Sequence, residues 1–232
     1  MNETRLLDEQ QAYYRARAGE YDRWWLREGR YDHGPEANRR WFDEVSALER
    51  ALEDFGPSGE ILELACGTGL WTRRLISGAR RLTAVDAAPE VLEINRERVG
   101  SELVRYIEAD LFEWTPPQSA FDVCFFSFWL SHVLESRFAA FWEKVRGALR
   151  PGGRVFLIDS ARSDTSGARD HAPTSDEEQT MVRRLDDGTE FQIVKRFYDP
   201  RRLQRRLAEL GWNVEASATG EYFIHAAGSP AP

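Results

Sequence analysis

The chain has 232 residues, of which 42% are hydrophobic and 30% are charged, and its formal net charge is -8 at pH 7. This composition excludes a disordered chain, and the length predicts one globular α/β domain with appendages. Because the negative charge gives no general attraction to a polyanion, we expect no nucleic-acid partner.

Two cysteines occur, Cys66 and Cys124, and neither belongs to a Cys-x-x-Cys pair or a Cys/His cluster. We therefore expect no disulfide framework and no bound metal. No apolar run approaches the length of a signal segment or a membrane span. The sequence thus predicts a cytoplasmic protein without a membrane partner, and it is compatible with a monomer or a homodimer.

The first part of the chain, residues 1–59, is predicted to form a helical cap over the site. Five apolar side chains recur at steps of four and three and mark one face of a helix that packs on a sheet: Trp41, Val45, Leu48, Leu52 and Phe55. Residues 12–34, before this helix, are richer in aromatic rings than burial of a short helix requires. We expect some of these rings to line a site.

From residue 60 onward, short apolar runs alternate with helical stretches, which is the pattern of βαβ units. Strands are predicted over residues 61–65, 81–86, 104–110, 121–128 and 154–160. Helices are predicted after a glycine-rich turn, from Pro89, and over residues 137–149, the last one stopping at Pro151-Gly152-Gly153. Right-handed crossovers then give a doubly wound, mainly parallel sheet in a core that spans residues 60–232.

The C-terminal part of the chain departs from this alternation. Residues 181–185 and 189–198 flank Asp186-Asp187-Gly188, a strong turn signal, and predict a hairpin. The polar residues 163–179 predict a mobile loop or lid, so that lid and hairpin together occupy about 160–198. A helix from Asp199-Pro200 to Gly211 and strands over 213–218 and 221–226 follow. At least one of these strands should run antiparallel and complete a seven-stranded sheet.

The segment ILELACGTGLWT, residues 61–72, predicts a buried strand, a glycine-rich turn and the start of a helix. Such a turn presents backbone N–H groups to a nucleotide-like ligand, although a lone Gly-x-Gly also occurs in ordinary tight turns. The dinucleotide fingerprint would need a third glycine at Thr72. Glu63, before the turn, would repel a pyrophosphate but suits an ammonium group or its bound water. The sequence therefore favours a ligand with positive charge near Glu63.

Two further acids end predicted strands. Asp86 lies 23 residues beyond Glu63 (86 minus 63), where the second strand of such a fold presents a carboxylate to a ribose diol. Asp110 ends the third predicted strand and could accept a hydrogen bond from an adenine amine, with Leu111 beside the ring. Each acid could instead cap the next helix, but three at successive strand ends favour a ligand. Ribose, adenine and a cationic centre without pyrophosphate describe S-adenosylmethionine better than NAD, FAD or ATP.

Residues 60 to about 160 resemble class I methyltransferases. The ELACGTG motif, the acid-terminated second strand, Ala-Asp-Leu at 109–111 and the segment LRPGGRVFLID all match that family. The resemblance implies a Rossmann-like fold and S-adenosylmethionine as cofactor. It assigns Glu63, Cys66, Gly67 and Gly69 to the methionine portion, Asp86 and Ala87 to the ribose, Asp110 and Leu111 to the adenine, and Ser127 and Trp129 to the surroundings of the sulfonium. Tyr14 and Tyr21 look similar to tyrosines that family members fold over the cofactor, although either could belong to the core.

His132, in the segment SFWLSHVLE after the fourth strand, is the candidate general base. It could take a proton from a hydroxyl or amine as the methyl group moves, or it could be packed behind the site with its ring bonded to backbone. The aromatic cap favours a small, partly apolar or aromatic acceptor methylated on O or N, with S-adenosylhomocysteine as product. A non-catalytic S-adenosylmethionine-binding module is the alternative, and Glu63 and Thr72 disfavour an NAD-dependent oxidoreductase.

Overall fold

The structure is a computed structural model that describes residues 2–170 and 179–232. Three helices precede the sheet: α1 (Glu3–Ala16), α2 (Tyr21–Leu26) and α3 (Pro35–Phe55). Asn2 caps α1 by accepting a hydrogen bond from the Thr4 N–H at 3.3 Å. The first residue of α3 is a proline, and the helix ends at Gly56 in the left-handed conformation that glycine adopts readily.

Strands and helices alternate from residue 59 onward, as the sequence predicts. These elements are β1 (Gly59–Leu64), α4 (Thr72–Leu75), β2 (Ala79–Asp86), α5 (Pro89–Val99), β3 (Val104–Glu108), β4 (Phe121–Ser127), α6 (Phe138–Ala148), β5 (Leu149–Ser160), β6 (Thr180–Arg184), β7 (Glu190–Val194), α7 (Pro200–Glu209), β8 (Trp212–Ala218) and β9 (Phe223–Pro230). A short 3₁₀ helix, Leu130–His132, follows β4.

Within the described residues, seven strands form one sheet in the order β3-β2-β1-β4-β5-β9-β8. The first five of these pair in parallel, whereas β9 runs antiparallel to both β5 and β8. The chain winds outward from β1 in both directions, so the strand order reverses between β1 and β4. A crevice forms at such a switch point, beyond the carboxyl ends of the strands. The predicted doubly wound, seven-stranded sheet with an antiparallel C-terminal strand is confirmed.

Two predicted boundaries were wrong. The strand expected at residue 154 begins at Leu149, directly after α6, so Pro151-Gly152-Gly153 lies inside β5 rather than in a separate turn. Phe121 pairs with Leu149, but Val123 pairs with Arg154, and the chain between these two partners bulges out of the sheet. The third strand ends at Glu108, which leaves Asp110 in the turn that follows.

Helices cover both faces of the sheet. The predicted apolar stripe of α3 packs on one face, where Trp41, Leu48 and Leu52 are buried beside Phe125. On the other face, α6 and α7 bury Trp142 and other apolar side chains. Burial of these large apolar surfaces holds the carboxyl ends of β1, β2 and β4 in fixed positions.

The hairpin predicted at Asp186-Asp187-Gly188 forms a separate two-stranded sheet of β6 and β7. It packs on α1 through Leu6, Leu7 and Val194. The second predicted strand, 189–198, was too long, because β7 ends at Val194 and the chain turns inward there: the Arg196 N–H donates to the Ser131 carbonyl at 2.9 Å.

Part of the predicted lid, residues 171–178, lies outside the described residues, and the division into a cap at 1–59 and a core at 60–232 stays a prediction. Among the helices of residues 2–170 and 179–232, none combines the length and apolar character needed to cross a bilayer.

Candidate active site

A cleft lies at the switch point of the sheet, between the strand ends below and α1 above, and we call it the strand-end cleft. It encloses about 770 Å³ of empty space, part of which is open solvent. Ten of the predicted site residues line it: Tyr14, Tyr21, Gly67, Asp86, Ala87, Asp110, Leu111, Ser127, Trp129 and His132. The structure therefore brings together residues that lie far apart in the sequence.

Two glycines of the turn after β1 have different surroundings. Gly67 and Gly69 both have positive φ, +52° and +90°. A Cβ atom added to Gly67 would meet nothing within 4 Å, so the backbone there is open to close approach by a ligand. At Gly69 an added Cβ would lie 2.7 Å from Oδ1 of Asn95 and 3.2 Å from its Cα. Gly69 is thus required for the packing of the turn against α5, while Gly67 faces the cleft.

Asp86 connects the glycine turn to the end of β2. Its carboxylate accepts hydrogen bonds from the N–H groups of Gly67 and Ala88, each at 3.0 Å. Burial raises the pKa of Asp86, and these backbone hydrogen bonds oppose the rise. The carbonyl of Ala87, the next residue, accepts from Nη2 of Arg15 at 3.2 Å, which attaches α1 to this edge of the cleft.

Asp110, which also lines the cleft, is held by two hydrogen bonds. Its Oδ1 accepts from the Phe112 N–H and its Oδ2 from Nε2 of Gln11, both at 2.8 Å. The sequence reasoning missed Gln11, although its position between Leu7 and Tyr14 at helical spacing places all three on one face of α1.

Three predicted site residues do not line the strand-end cleft. Glu63 is 1% exposed; it bonds to Thr72, and its Oε2 has no hydrogen-bond partner among the described residues. Burial, together with the charge of Asp86, raises the pKa of Glu63 to about 8. Cys66 lines a small side pocket, and burial raises the pKa of its thiol. Gly69, described above, is the third.

His132 is buried, and both of its ring nitrogens have partners. Nδ1 lies 2.6 Å from the carbonyl oxygen of Val194, and Nε2 lies 2.6 Å from the hydroxyl of Tyr14. Since a carbonyl can only accept, Nδ1 carries the proton and Nε2 accepts from Tyr14. Burial first, and then the charge of Lys195, lower the pKa of His132 well below its usual value, so the ring is neutral at pH 7.

Gln10, which the sequence reasoning also missed, joins three elements beside His132. Its Oε1 accepts from the Val194 N–H at 3.0 Å, and its Nε2 lies 3.4 Å from the carbonyl oxygen of His132. The side chain is 3% exposed, so these hydrogen bonds are shielded from water. They hold α1, the 3₁₀ helix and β7 in one arrangement.

A second cavity adjoins the cleft between α1, α2, the loop after β5 and the β6–β7 hairpin, and we call it the hairpin cavity. It encloses about 540 Å³ of empty space, part of which is open solvent. Four residues line both the hairpin cavity and the strand-end cleft: Tyr14, Tyr21, Phe128 and His132. A ligand in one space would therefore contact some of the same side chains as a ligand in the other.

Lys195 lies in the wall of the hairpin cavity. Its Nζ donates to Oγ of Ser131 at 2.9 Å and to Oγ of Ser160 at 3.3 Å, and it lies 3.8 Å from Oδ1 of Asp159. Burial lowers the pKa of Lys195 to about 8, and the charge of Asp159 opposes this. Asp159 also accepts from the N–H groups of Ser131 and Ser160, so the pair connects the end of β5 to the 3₁₀ helix that follows β4.

Among the described residues, no group of three or more His, Cys, Asp and Glu side chains lies close enough together to hold a metal ion. Metal independence stays a prediction. A Rossmann-like sheet with an acid at the end of β2 and another after β3, around a cleft at its switch point, defines a class of enzymes that bind a nucleoside cofactor.

Comparison with known proteins narrows this class. Residues 61–153 match the family described as methyltransferase domain. The solved structure of a DhpI–SAM–HEP complex is 38% identical, covers 99% of this chain and 100% of its own, and has a TM-score of 0.80. A DhpI–SAH complex is 36% identical, covers 100% of both chains and has a TM-score of 0.79.

Among curated proteins, the malonyl-[acyl-carrier protein] O-methyltransferase of Serratia marcescens is 31% identical over 126 residues, which are 50% of this chain and 47% of that protein. The chain spans about half the length of the curated relatives it matches. The DhpI structures match the full length of this chain at more than 30% identity, and this match establishes the family to which the chain belongs. The chain belongs to the class I S-adenosylmethionine-dependent methyltransferases, enzymes that use S-adenosylmethionine and release S-adenosylhomocysteine.

Proposed function

We propose that this enzyme transfers a methyl group to an O or N atom of a small acceptor bound in the hairpin cavity. The observation that carries the proposal is the wall shared by the two cavities, which consists of Tyr14, Tyr21, Phe128 and His132. With the cofactor in the strand-end cleft, an acceptor in the hairpin cavity lies next to it. The Serratia relative is named as an O-methyltransferase, which agrees with oxygen as the receiving atom.

The residues around the strand-end cleft fit the parts of S-adenosylmethionine. Asp86 stands where a ribose diol would bind, and Asp110 with Leu111 stands where the adenine would lie. The open space beside Gly67 lets the methionine portion approach the backbone closely. Ala87, Ser127 and Trp129 complete the lining, and Tyr14 and Tyr21 cover it from α1 and α2.

In this proposal, Glu63 interacts with the ammonium group of the cofactor from a buried position beneath the glycine turn. An Oε2 atom that is buried without a hydrogen-bond partner is costly, and a nearby ammonium group would favour its charged form. The methionine portion of S-adenosylmethionine carries such an ammonium group. Cys66 and Gly69 then shape the turn through packing rather than through contact with the cofactor.

The reaction itself is a displacement in which the cofactor supplies an electrophilic methyl group bound to a sulfonium. The protein holds the lone pair of the acceptor in line with that methyl group, which accounts for much of the acceleration in such reactions. A hydroxyl or amine acceptor must also lose one proton. That proton passes to the Tyr14 oxygen as the Tyr14 proton passes to Nε2 of His132, which makes His132 the general base.

Two measurements test the proposal. Isothermal titration calorimetry of Asp86→Ala with S-adenosylhomocysteine should show weaker binding than the parent, since the ribose loses its carboxylate. Unchanged affinity would contradict the ribose assignment. Transfer of a labelled methyl group should be detected on a member of a panel of small alcohols, phenols, amines and acids. A protein that binds the cofactor but methylates none of them would instead agree with a non-catalytic module.

A further inference from the structure

The wall of the hairpin cavity is strongly basic. Arg17 lies just beyond the end of α1, Arg183 lies on β6, and Lys195 follows β7; all three line the cavity. No aspartate or glutamate is among the described residues that line it. This local charge is opposite in sign to the net charge of the whole chain, which is -8.

Lys195 has its own counter-ion, because Asp159 lies 3.8 Å away. Arg17 has no carboxylate partner among the described residues, although it is only 9% exposed. Its guanidinium lies over the rings of Tyr13, Tyr21 and Tyr31, at 5.6, 5.0 and 5.9 Å from their centroids. Ring contacts of this kind stabilise a cation, but they leave its net charge in place.

The hydrogen-bonding capacity of Arg17 is also incompletely used. Its Nη2 donates to the hydroxyl of Tyr31 at 3.4 Å, and its buried Nε has no partner among the described residues. A buried, charged donor without a partner is costly and is rare in folded proteins unless a ligand supplies the acceptor.

Arg183 places a second guanidinium on the same cavity. Burial lowers its pKa, and among the charges that act on it the charge of Arg17 lowers the pKa further. Both guanidinium groups line this one cavity, so an anion bound there would be stabilised by two positive charges.

We propose that the acceptor carries an oxyanion group, carboxylate or tetrahedral phosphoryl or sulfuryl, which binds in the hairpin cavity to Arg17 and Arg183. Guanidinium groups present paired N–H donors that match two oxygens of such a group, and these charge-assisted hydrogen bonds are strong in a site shielded from water. The hydroxyl of Tyr31, already bonded to Arg17, lies on the same wall. This inference rests on the proposed function, since it names the substrate class of the same site.

The direct test is binding of simple anions to the complex with S-adenosylhomocysteine. Acetate, sulfate, inorganic phosphate and methylphosphonate are titrated separately by calorimetry, so that carboxylate and tetrahedral probes are distinguished. We expect saturable binding of at least one probe, and weakening by at least about tenfold in both Arg17→Met and Arg183→Met. Affinity for S-adenosylhomocysteine should change by less than about threefold in both variants.

Arg184→Met is the matched control, since Arg184 lies on the same strand but is half-exposed and pairs with Glu190. We expect it to bind the probe as the parent does. If Arg17→Met does not fold, Arg17→Lys keeps the charge but loses the paired donors, and we expect at least about fivefold weaker probe binding. Absence of saturable binding in the parent, or equal binding by parent and variants, would overturn the inference.

Failure of this inference is distinguishable from failure of the proposed function. If labelled methyl groups reach a neutral acceptor at the same rate in the parent and in Arg183→Met, the methyltransferase proposal stands and the oxyanion site is wrong. If the probe binds through the two arginines but no acceptor of any charge is methylated, the oxyanion site stands and the proposed transfer is wrong.

Discussion

Binding of S-adenosylhomocysteine should release a proton from Glu63. This carboxyl is almost completely buried, and its pKa of about 8 keeps it protonated at pH 7 in the ligand-free protein. The ammonium group of the methionine portion would favour the carboxylate form and lower that pKa. The released proton therefore reports whether Glu63 and the ammonium group are close to each other.

The size of the effect follows from the pKa. At pH 7, a group with a pKa of about 8 is roughly 90% protonated, whereas a pKa below about 6 in the complex would leave it roughly 10% protonated. About 0.8 proton should then be released for each ligand bound. At pH 9 the carboxyl is already mostly ionised, and the release should fall to about 0.1 proton.

Calorimetric titrations at pH 7, in buffers with different ionisation enthalpies, measure this release. Glu63→Gln keeps the size of the side chain and removes the titrating proton, so we expect its release to be smaller by about 0.8 proton. Asp86 also has a raised pKa and can contribute protons, so the difference between parent and variant is the informative quantity. Equal release by the two proteins would refute the placement of Glu63 beneath the ammonium group.

Three further predictions concern the Tyr14–His132 pair and the glycine turn. Tyr14→Phe removes the hydroxyl that is bonded to His132 and should lower kcat by about 10²-fold. The affinity for S-adenosylhomocysteine should stay within about threefold of the parent value. An unchanged kcat would exclude a proton path through Tyr14. Because the proposed mechanism uses neutral His132 and its pKa is lowered, kcat measured with both substrates saturating should fall on the acid side only below the usual value of 6.5; a fall centred at or above 6.5 would contradict this. In urea denaturation, Gly69→Ala should lower the free energy of unfolding by about 2–4 kcal/mol, because its Cβ clashes with Asn95. Gly67→Ala should lower it by about 1 kcal/mol. Equal losses would show that the packing difference between the two glycines is unimportant.

The strand-end cleft could be predicted because its residues follow local signals. The carboxyl ends of parallel strands meet at one edge of a sheet, so recognising where β1 and β2 end is enough to bring Gly67 and Asp86 together. The hairpin could be predicted for a similar reason, since Asp186-Asp187-Gly188 determines a turn by its own backbone preferences.

Other parts of the site depend on packing between distant segments. The helical spacing of Leu7, Gln11 and Tyr14 shows that they share a face of α1, but it does not show that this face covers the cleft. Glu63 was expected near the ligand from its place before the glycine turn, but its almost complete burial is visible only in the tertiary structure. Neither the position of this face of α1 over the cleft nor the burial of Glu63 follows from a periodic pattern or a local motif in the sequence.

The sequence by itself determined the fold class, the turn after β1 and the cofactor, because those follow from local residue patterns and from the regular geometry of parallel strands. The tertiary structure alone decided the character of the hairpin cavity. Arg17 and Arg183 lie 166 positions apart (183 minus 17), and both line it. In the sequence each is one arginine among many charged residues, and only the packing of α1 against the hairpin places the two guanidinium groups on one buried wall.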